Sequence, residues 1–156
     1  MKSSVLAMTL LLCSASGARS GEAVDFEAVT LNGDSLRLSD FRGRVVIVDF
    51  WATWCPPCRE QLPLLAALEK QVEDVVVLSV CVDRHRDKIE KFAQRVDLPE
   101  RVLLDPSGAI AELYEVQAMP WTVLIDPLGR VVWQQSALPE AMEQSLVEEV
   151  RNLQAE

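Results

Sequence analysis

Two runs of the chain are apolar almost without a break, Val45 to Trp51 and Val75 to Val82. Each has the length and the β-branched content of a strand, and neither alternates, so both are expected to be strands buried on two faces. Around them the period changes. Arg59 to Lys70 is built from good helix formers. Ile89, Phe92, Ala93 and Val96 recur at helical spacing as far as Leu98-Pro99. Residues 24 to 38 alternate loosely, with Phe26, Val29, Leu31, Leu36 and Leu38 apolar around Asn32-Gly33-Asp34, which is a hairpin signal. Arg101 to Leu104 predicts a short strand, Asp105-Pro106-Ser107-Gly108 a turn, and Ala109 to Tyr114 a brief helix. Val123-Leu124-Ile125 and Val131-Val132-Trp133 flank the turn Asp126-Pro127-Leu128-Gly129 and predict a closing hairpin. Pro139 is expected to open a last helix with Met142, Leu146, Val150 and Leu153 toward the sheet. Its solvated face is then Glu140, Glu143, Glu148 and Glu149. Strands interleaved with helices predict one α/β domain, a mixed sheet between helices.

Length changes this picture little, since 156 residues suffice for a single domain with a full core. The first segment is set apart. Lys2, the short apolar stretch Val5 to Leu12 and the small residues Ser16-Gly17-Ala18 predict a secretory signal over residues 1–18. The stretch is too short to span a bilayer. Cys13 invites a lipoprotein reading, but Leu12 stands where a small residue should precede an acylated cysteine. Export implies an oxidising compartment, periplasmic or otherwise extracytoplasmic, in which idle cysteine pairs become disulfides. A net charge of −9 argues against nucleic acid and anionic membrane surfaces as partners.

The candidate chemistry lies where the first apolar run gives way to a helix, at Trp54-Cys55-Pro56-Pro57-Cys58. The first turn of a helix presents unpaired N–H groups and the positive end of the dipole, and both favour a thiolate over a thiol. Three positions of separation bring the second sulfur back over that turn, so the pair can close a small disulfide. Cys55 is expected to be the exposed attacking thiolate and Cys58 the buried resolving thiol. Pro56 and Pro57 suit a helix start but remove an N–H that could stabilise the Cys55 thiolate, and no His or Lys lies between the sulfurs. A pair poised to give electrons is the expectation.

Phe50-Trp51-Ala52-Thr53-Trp54-Cys55-Pro56-Pro57-Cys58 resembles the active site of the thioredoxin superfamily, most of all the extracytoplasmic thiol–disulfide oxidoreductases of the TlpA/ResA type. The β segment from Phe26 to Leu38, Pro63 and Met119-Pro120 match that family's pattern as well, so the likeness runs over residues 24 to 153. It implies a thioredoxin fold with an N-terminal β-hairpin and a central insertion, here the strand and helix between Arg101 and Tyr114. It implies a protein-disulfide reductase without cofactor or metal, acting as a monomer. Its clients are disulfide-bearing proteins such as apocytochrome c or copper-site assembly proteins, and its electron source is a membrane thiol donor of the DsbD/CcdA kind. It also implies that Pro120 is cis and packs on the cysteines, and that the backbone before it pairs with the client as an added strand. Trp54, Pro56, Met119, Pro120 and Trp121 are then the candidate client contacts, with Trp51, Trp54 and Trp121 read as an aromatic rim or, for Trp51, as core.

Asp49 is a carboxylate in the middle of a run expected to be buried, which is costly unless it is paired or neutral. By resemblance to thioredoxin it lies beneath the second cysteine, and it is the candidate base for the Cys58 proton. The alternative is a structural carboxylate bonded to backbone. Many TlpA-type chains instead carry an acid three positions after the second cysteine, where this chain has Gln61, with Glu60 one residue early. Cys81 reads as a small buried hydrophobe. A zinc site joining Cys81 and His85 to the pair is the sharper alternative. Three other functions use the same residues: a dithiol oxidase, a copper-delivery module, and a peroxidase. The last calls for an isolated cysteine with Thr three positions before it and Pro upstream, and that Pro is absent from the run before Cys55.

Overall fold

The computed structural model describes residues 21–136 and 142–155. The signal reading of residues 1–18, Cys13, Pro139 and Glu140 fall outside them, as do the side chains of Met142 and Glu143. The two apolar runs are the central strands, β4 (Val45–Trp51) and β5 (Val75–Cys81), and every residue of both is buried. They pair in parallel, Val45 with Val75 through Trp51 with Cys81. A parallel pair needs a long crossover, and α1 (Pro56–Gln71) supplies it. Beyond β5 come α2 (Arg86–Ala93), β6 (Arg101–Leu104), α3 (Ala109–Leu113), β7 (Trp121–Ile125), β8 (Arg130–Ser136) and α4 (Met142–Ala155). Ahead of β4 lie β1 (Gly21–Glu22), β2 (Glu27–Thr30) and β3 (Ser35–Arg37). One mixed sheet results, in the order β1-β8-β7-β4-β5-β6-β2-β3.

Alternation along β4 and β5 divides the core in two. Val46, Val48, Phe50, Val76, Leu78 and Val80 face one side, with Ile110, Ala111 and Tyr114 of the α3 segment. Val45, Ile47, Val75 and Val77 face the other, under Leu65 and Leu68 of α1 and Leu146 and Val150 of α4. Leu153 packs on that second cluster, as the spacing predicts. At the end where β4 and β5 finish, Trp51, Cys81, Leu62, Ile89, Phe92, Cys55 and Cys58 form a third cluster beneath α1 and α2.

Several expectations need correcting. Val29, one of the apolar positions of the N-terminal hairpin, does not point into the core. It is 48% exposed, and its neighbours Ala28 and Thr30 face inward instead. The inner face of β2 is set by its pairing to β6, Val29 with Leu104 and Thr30 with Leu103, not by its own apolar content. The second helix stops at Ala93, because the Phe92 carbonyl accepts from both Arg95 N–H and Val96 N–H and closes the turn there. Val96 packs on the third cluster from beyond the helix end. Strand β1 was not anticipated: two residues pair with β8, and Ala23 N–H adds a bond to the Gly129 carbonyl. Gly129 closes the β7–β8 turn with φ +81°, in the left-handed region that favours glycine.

Candidate active site

Cys55 is the N-cap of α1 and Cys58 lies in its first turn. Their sulfurs are bonded, with the Cα atoms 5.3 Å apart. Pro56 and Pro57 carry no N–H, so the first donor along the helix is that of Cys58, which points at Cys55 Sγ at 3.3 Å. Cys58 is fully buried, as expected, but Cys55 is not the exposed member of the pair: only 3% of it reaches solvent. The disulfide folds its sulfur back over the helix start, where it joins the cluster of Trp51, Leu62 and Phe92.

The strand register brings the second half of the site to the same place. Antiparallel pairing sets Trp121 opposite Phe50, so the residues just before β7 lie beside the end of β4. The Met119–Pro120 bond is cis, Pro120 is buried, and Met119 packs on the cluster that holds both cysteines. The three tryptophans do not make one rim. Trp51 is fully buried against Phe92, with ring centroids 5.2 Å apart. Trp121 shares the Phe50 side of the sheet, because paired residues point to the same face, and packs on the cluster away from the cysteines. Trp54 is the exposed one of the three, at 67%, and Trp121 is half-buried.

Asp83 holds the loop that carries Cys55. Thr53 and Asp83 each follow the registered pair Trp51 and Cys81 by two residues, so the parallel strands deliver them side by side. The Asp83 carboxylate accepts from Thr53 N–H at 2.6 Å, from the Thr53 hydroxyl at 3.1 Å and from the Cys81 thiol at 3.3 Å. Arg59 closes the loop from the helix side, donating to the Thr53 carbonyl at 3.0 Å. Burial pushes the Cys81 thiol well above the ordinary cysteine range, which keeps it protonated and unreactive. His85 is exposed at the start of α2 and Glu60 is exposed on α1. Among the described residues no group of three or more His, Cys, Asp or Glu side chains is gathered to hold a metal. Replacing Asp83 by Ala leaves the Thr53 and Cys81 donors without their acceptor. It should cost about 2 kcal/mol in urea unfolding, with Asp83→Asn milder because an amide oxygen can still accept from Thr53.

Asp49 is fully buried on the α1 side of β4. Gln61 Nε2 donates to its Oδ1 at 2.6 Å and the Thr122 hydroxyl donates to the same oxygen at 2.9 Å. Its partners are therefore side chains, not the backbone that a purely structural carboxylate was expected to use. Burial pushes its pKa up to about 7, against the pull of the Thr122 and Gln61 bonds. Gln61 lies one turn beyond Cys58 on the same buried helix face, which places Asp49 under the cysteine end of α1.

Comparison with known proteins gives the family and the fold. A model of the AhpC/TSA family matches residues 20–134. The chain belongs to the AhpC/TSA family. Within reach of it is the thiol-disulfide oxidoreductase ResA of Bacillus subtilis, 30% identical over 134 residues, which are 85% of this chain and 73% of that one. ResA of Geobacillus kaustophilus is 37% identical over 70% of this chain, and the thioredoxin-like protein YneN of Bacillus subtilis 35% over 69%. The chain spans 64% and 65% of the length of those two relatives. Among solved structures, one from Chlorobium tepidum assigned as the thiol:disulfide interchange protein DsbE superposes with a TM-score of 0.81. It is 31% identical, and the match covers 86% of this chain and 96% of that one. The exposed lipoprotein thioredoxin Etrx1 of Streptococcus pneumoniae gives a TM-score of 0.72 at 30% identity, covering 83% and 99%. The fold is thus thioredoxin-like, with N-terminal strands and a helical insertion added.

For this AhpC/TSA family member, the residues expected from sequence fall into two groups. Cys55, Cys58, Asp49, Met119 and Pro120 converge beneath or beside the start of α1, whereas Trp121 contributes backbone to that place and its side chain to the other face. Asp83 and Thr122 carried no signal of their own. Gln61 was visible only as a departure, an amide where an acid was expected.

Proposed function

We propose that the chain is a thiol–disulfide oxidoreductase that reduces disulfides in client proteins outside the cytoplasm. The observation that carries this reading is the Cys55–Cys58 disulfide closed across the N-cap and first turn of α1, with Met119, which precedes cis Pro120, packed on the cluster that holds both sulfurs. In the reduced protein the Cys55 thiolate attacks a client disulfide, and one client sulfur leaves as a thiolate. Asp49 takes the proton of Cys58, whose sulfur then attacks Cys55 and expels the second client sulfur. Two electrons have passed to the client, and the bond seen here has formed. Exposed Trp54, Pro56 and the Met119–Pro120–Trp121 backbone form the proposed client contact. A membrane thiol donor of the DsbD/CcdA type is the proposed source of electrons, and residues 1–18 the proposed export signal. No described helix is long and apolar enough to cross a membrane.

The direction of flow follows from the helix start. Two consecutive prolines withhold the N–H groups that stabilise a thiolate, and a less stable dithiolate makes a stronger reductant. Peroxide chemistry is disfavoured because Cys55 is not isolated: its partner is three residues away and already bonded to it. Equilibration with glutathione, followed by quantifying the Cys55–Cys58 disulfide, tests direction. A potential on the order of −250 mV is expected, near thioredoxin and far from the strong oxidants. A value at the DsbA end of the scale, or no catalysis of insulin reduction by dithiothreitol, overturns the reading.

A further inference from the structure

Three neighbouring strands carry a polar residue at one level of the sheet, a row that Gln135 of β8, registered to Thr122, continues. Ser79 on β5 and Thr122 on β7 are both registered to Asp49 on β4, and none of the three is exposed. Gln61 comes down on this row from α1. Its Nε2 donates to Asp49 Oδ1 at 2.6 Å and to the Thr122 hydroxyl at 2.9 Å, while that hydroxyl donates to Asp49 Oδ1 at 2.9 Å. Donor accounting gives the ring a single sense. Both Nε2 hydrogens are committed, and Thr122, already accepting from Gln61, spends its one hydrogen on Asp49. Oδ1 thus takes two donors, whereas Oδ2 is buried with no hydrogen-bond partner. A proton on Oδ1 would turn the Thr122 hydrogen away from its acceptor, so the site for a proton is Oδ2.

We propose that Gln61 and Thr122 are positioning residues for disulfide exchange: with two donors fixed on Oδ1 they favour the ionised carboxylate, confine the exchangeable proton to Oδ2, and so set the pH at which Asp49 accepts the proton of Cys58. This rests on the reading of Asp49 as the proton acceptor. The proton leaves Cys58 Sγ for Oδ2, the freed electron pair attacks Cys55 Sγ, the Cys55–client bond breaks, and the departing client thiolate is protonated by solvent. The two donors also tie the acceptor to both halves of the site, since Gln61 is one turn beyond Cys58 and Thr122 two residues beyond Pro120. The titratable and charged groups toward this side of the sheet are the sulfurs of Cys55 and Cys58 at the start of α1, Cys81 on β5 with Asp83 bonded to its thiol, and Glu69 farther along α1, which accepts from Val77 N–H and pairs with Arg101; Ser79, Gln61 and Thr122 do not titrate. No charged side chain contributes to the shift of Asp49; burial raises it, and these two hydrogen bonds oppose burial.

The test is infrared titration of the oxidised protein, following the C=O stretch of the protonated carboxyl that disappears in Asp49→Asn, alongside the pH profile of mixed-disulfide release. Thr122→Val and Gln61→Met should each raise the midpoint of that band, and of the release profile, by roughly one pH unit. Thr122→Ser, which keeps the hydroxyl, should return both to the parent values, and Gln61→Met with Thr122→Ser decides the matter if the valine variant does not fold. Unmoved midpoints in Gln61→Met, with the band still lost in Asp49→Asn, overturn the positioning role and leave Asp49 as acceptor. A release profile unchanged in Asp49→Asn overturns both.

Discussion

Replacing Cys58 by Ala is expected to turn the protein into a trap, with clients held on Cys55 by a disulfide that nothing within the chain can resolve. The geometry demands this asymmetry. Cys55 is the N-cap with a helix N–H on its sulfur, whereas Cys58 is sealed in the first turn beneath Leu62 and Trp51. Cys55, buried in the closed disulfide, is flanked by exposed Trp54 and Pro56, whereas Cys58 is fully buried within the first turn. Turnover should fall at least ~10³-fold in Cys58→Ala and in Cys55→Ala, because each removes one of two covalent steps. Only Cys58→Ala should accumulate adducts, read as reducible high-mass species on non-reducing gels and identified by mass spectrometry. Adducts in Cys55→Ala and none in Cys58→Ala would reverse the assignment of the two sulfurs.

The second large effect is on stability. The Asp49 carboxyl titrates near 7 in the folded protein, against 3.8 as its ordinary value, because burial disfavours its charge. A folded pKa above the unfolded one means that the native state keeps a proton the unfolded chain releases. The contribution of Asp49 to stability is therefore largest below about pH 4, falls as pH rises by up to about 1.4 kcal/mol per pH unit, and levels off above about pH 8. The accumulated loss is on the order of 4 kcal/mol. Asp49→Asn should remove that slope and make the oxidised protein more stable than its parent at pH 8 by a few kcal/mol, with little difference near pH 4. Guanidinium unfolding across this pH range measures it directly. The same substitution should slow mixed-disulfide release about 10²-fold, the usual worth of a general base. A variant both more stable and slower shows that the buried carboxylate is retained for its chemistry at the expense of the fold. Equal slopes in parent and variant would place the titration elsewhere.

The two donors on Asp49 and the three on Asp83 divide the site into separable functions. The Asp83 network holds the loop before the nucleophile, and its loss should show first in stability. The Asp49 network controls a proton, and its loss should show first in pH dependence.

Much of this was legible in the residues themselves. Val45 to Trp51 and Val75 to Val82 declare doubly buried strands because nothing polar interrupts them, and Asp49 draws attention for the same reason. A Cys-x-x-Cys pair at the junction with a helix declares its chemistry through local effects, the unpaired N–H groups and the prolines. What the sequence could not decide is who stands beside whom. Val29 is apolar yet faces solvent, because β2 takes its inner face from its partner strand. Asp83 reads as one more charge ahead of Arg84 and Arg86 until the parallel register sets it against Thr53, thirty positions away. Thr122 and Gln61 meet Asp49 only through strand pairing and helix packing, over separations of 73 and 12 residues. Helix and strand preferences and burial period act between near neighbours along the chain, so sequence determines them. Register and packing act between segments far apart, and only the assembled sheet decides which donors a buried carboxylate receives.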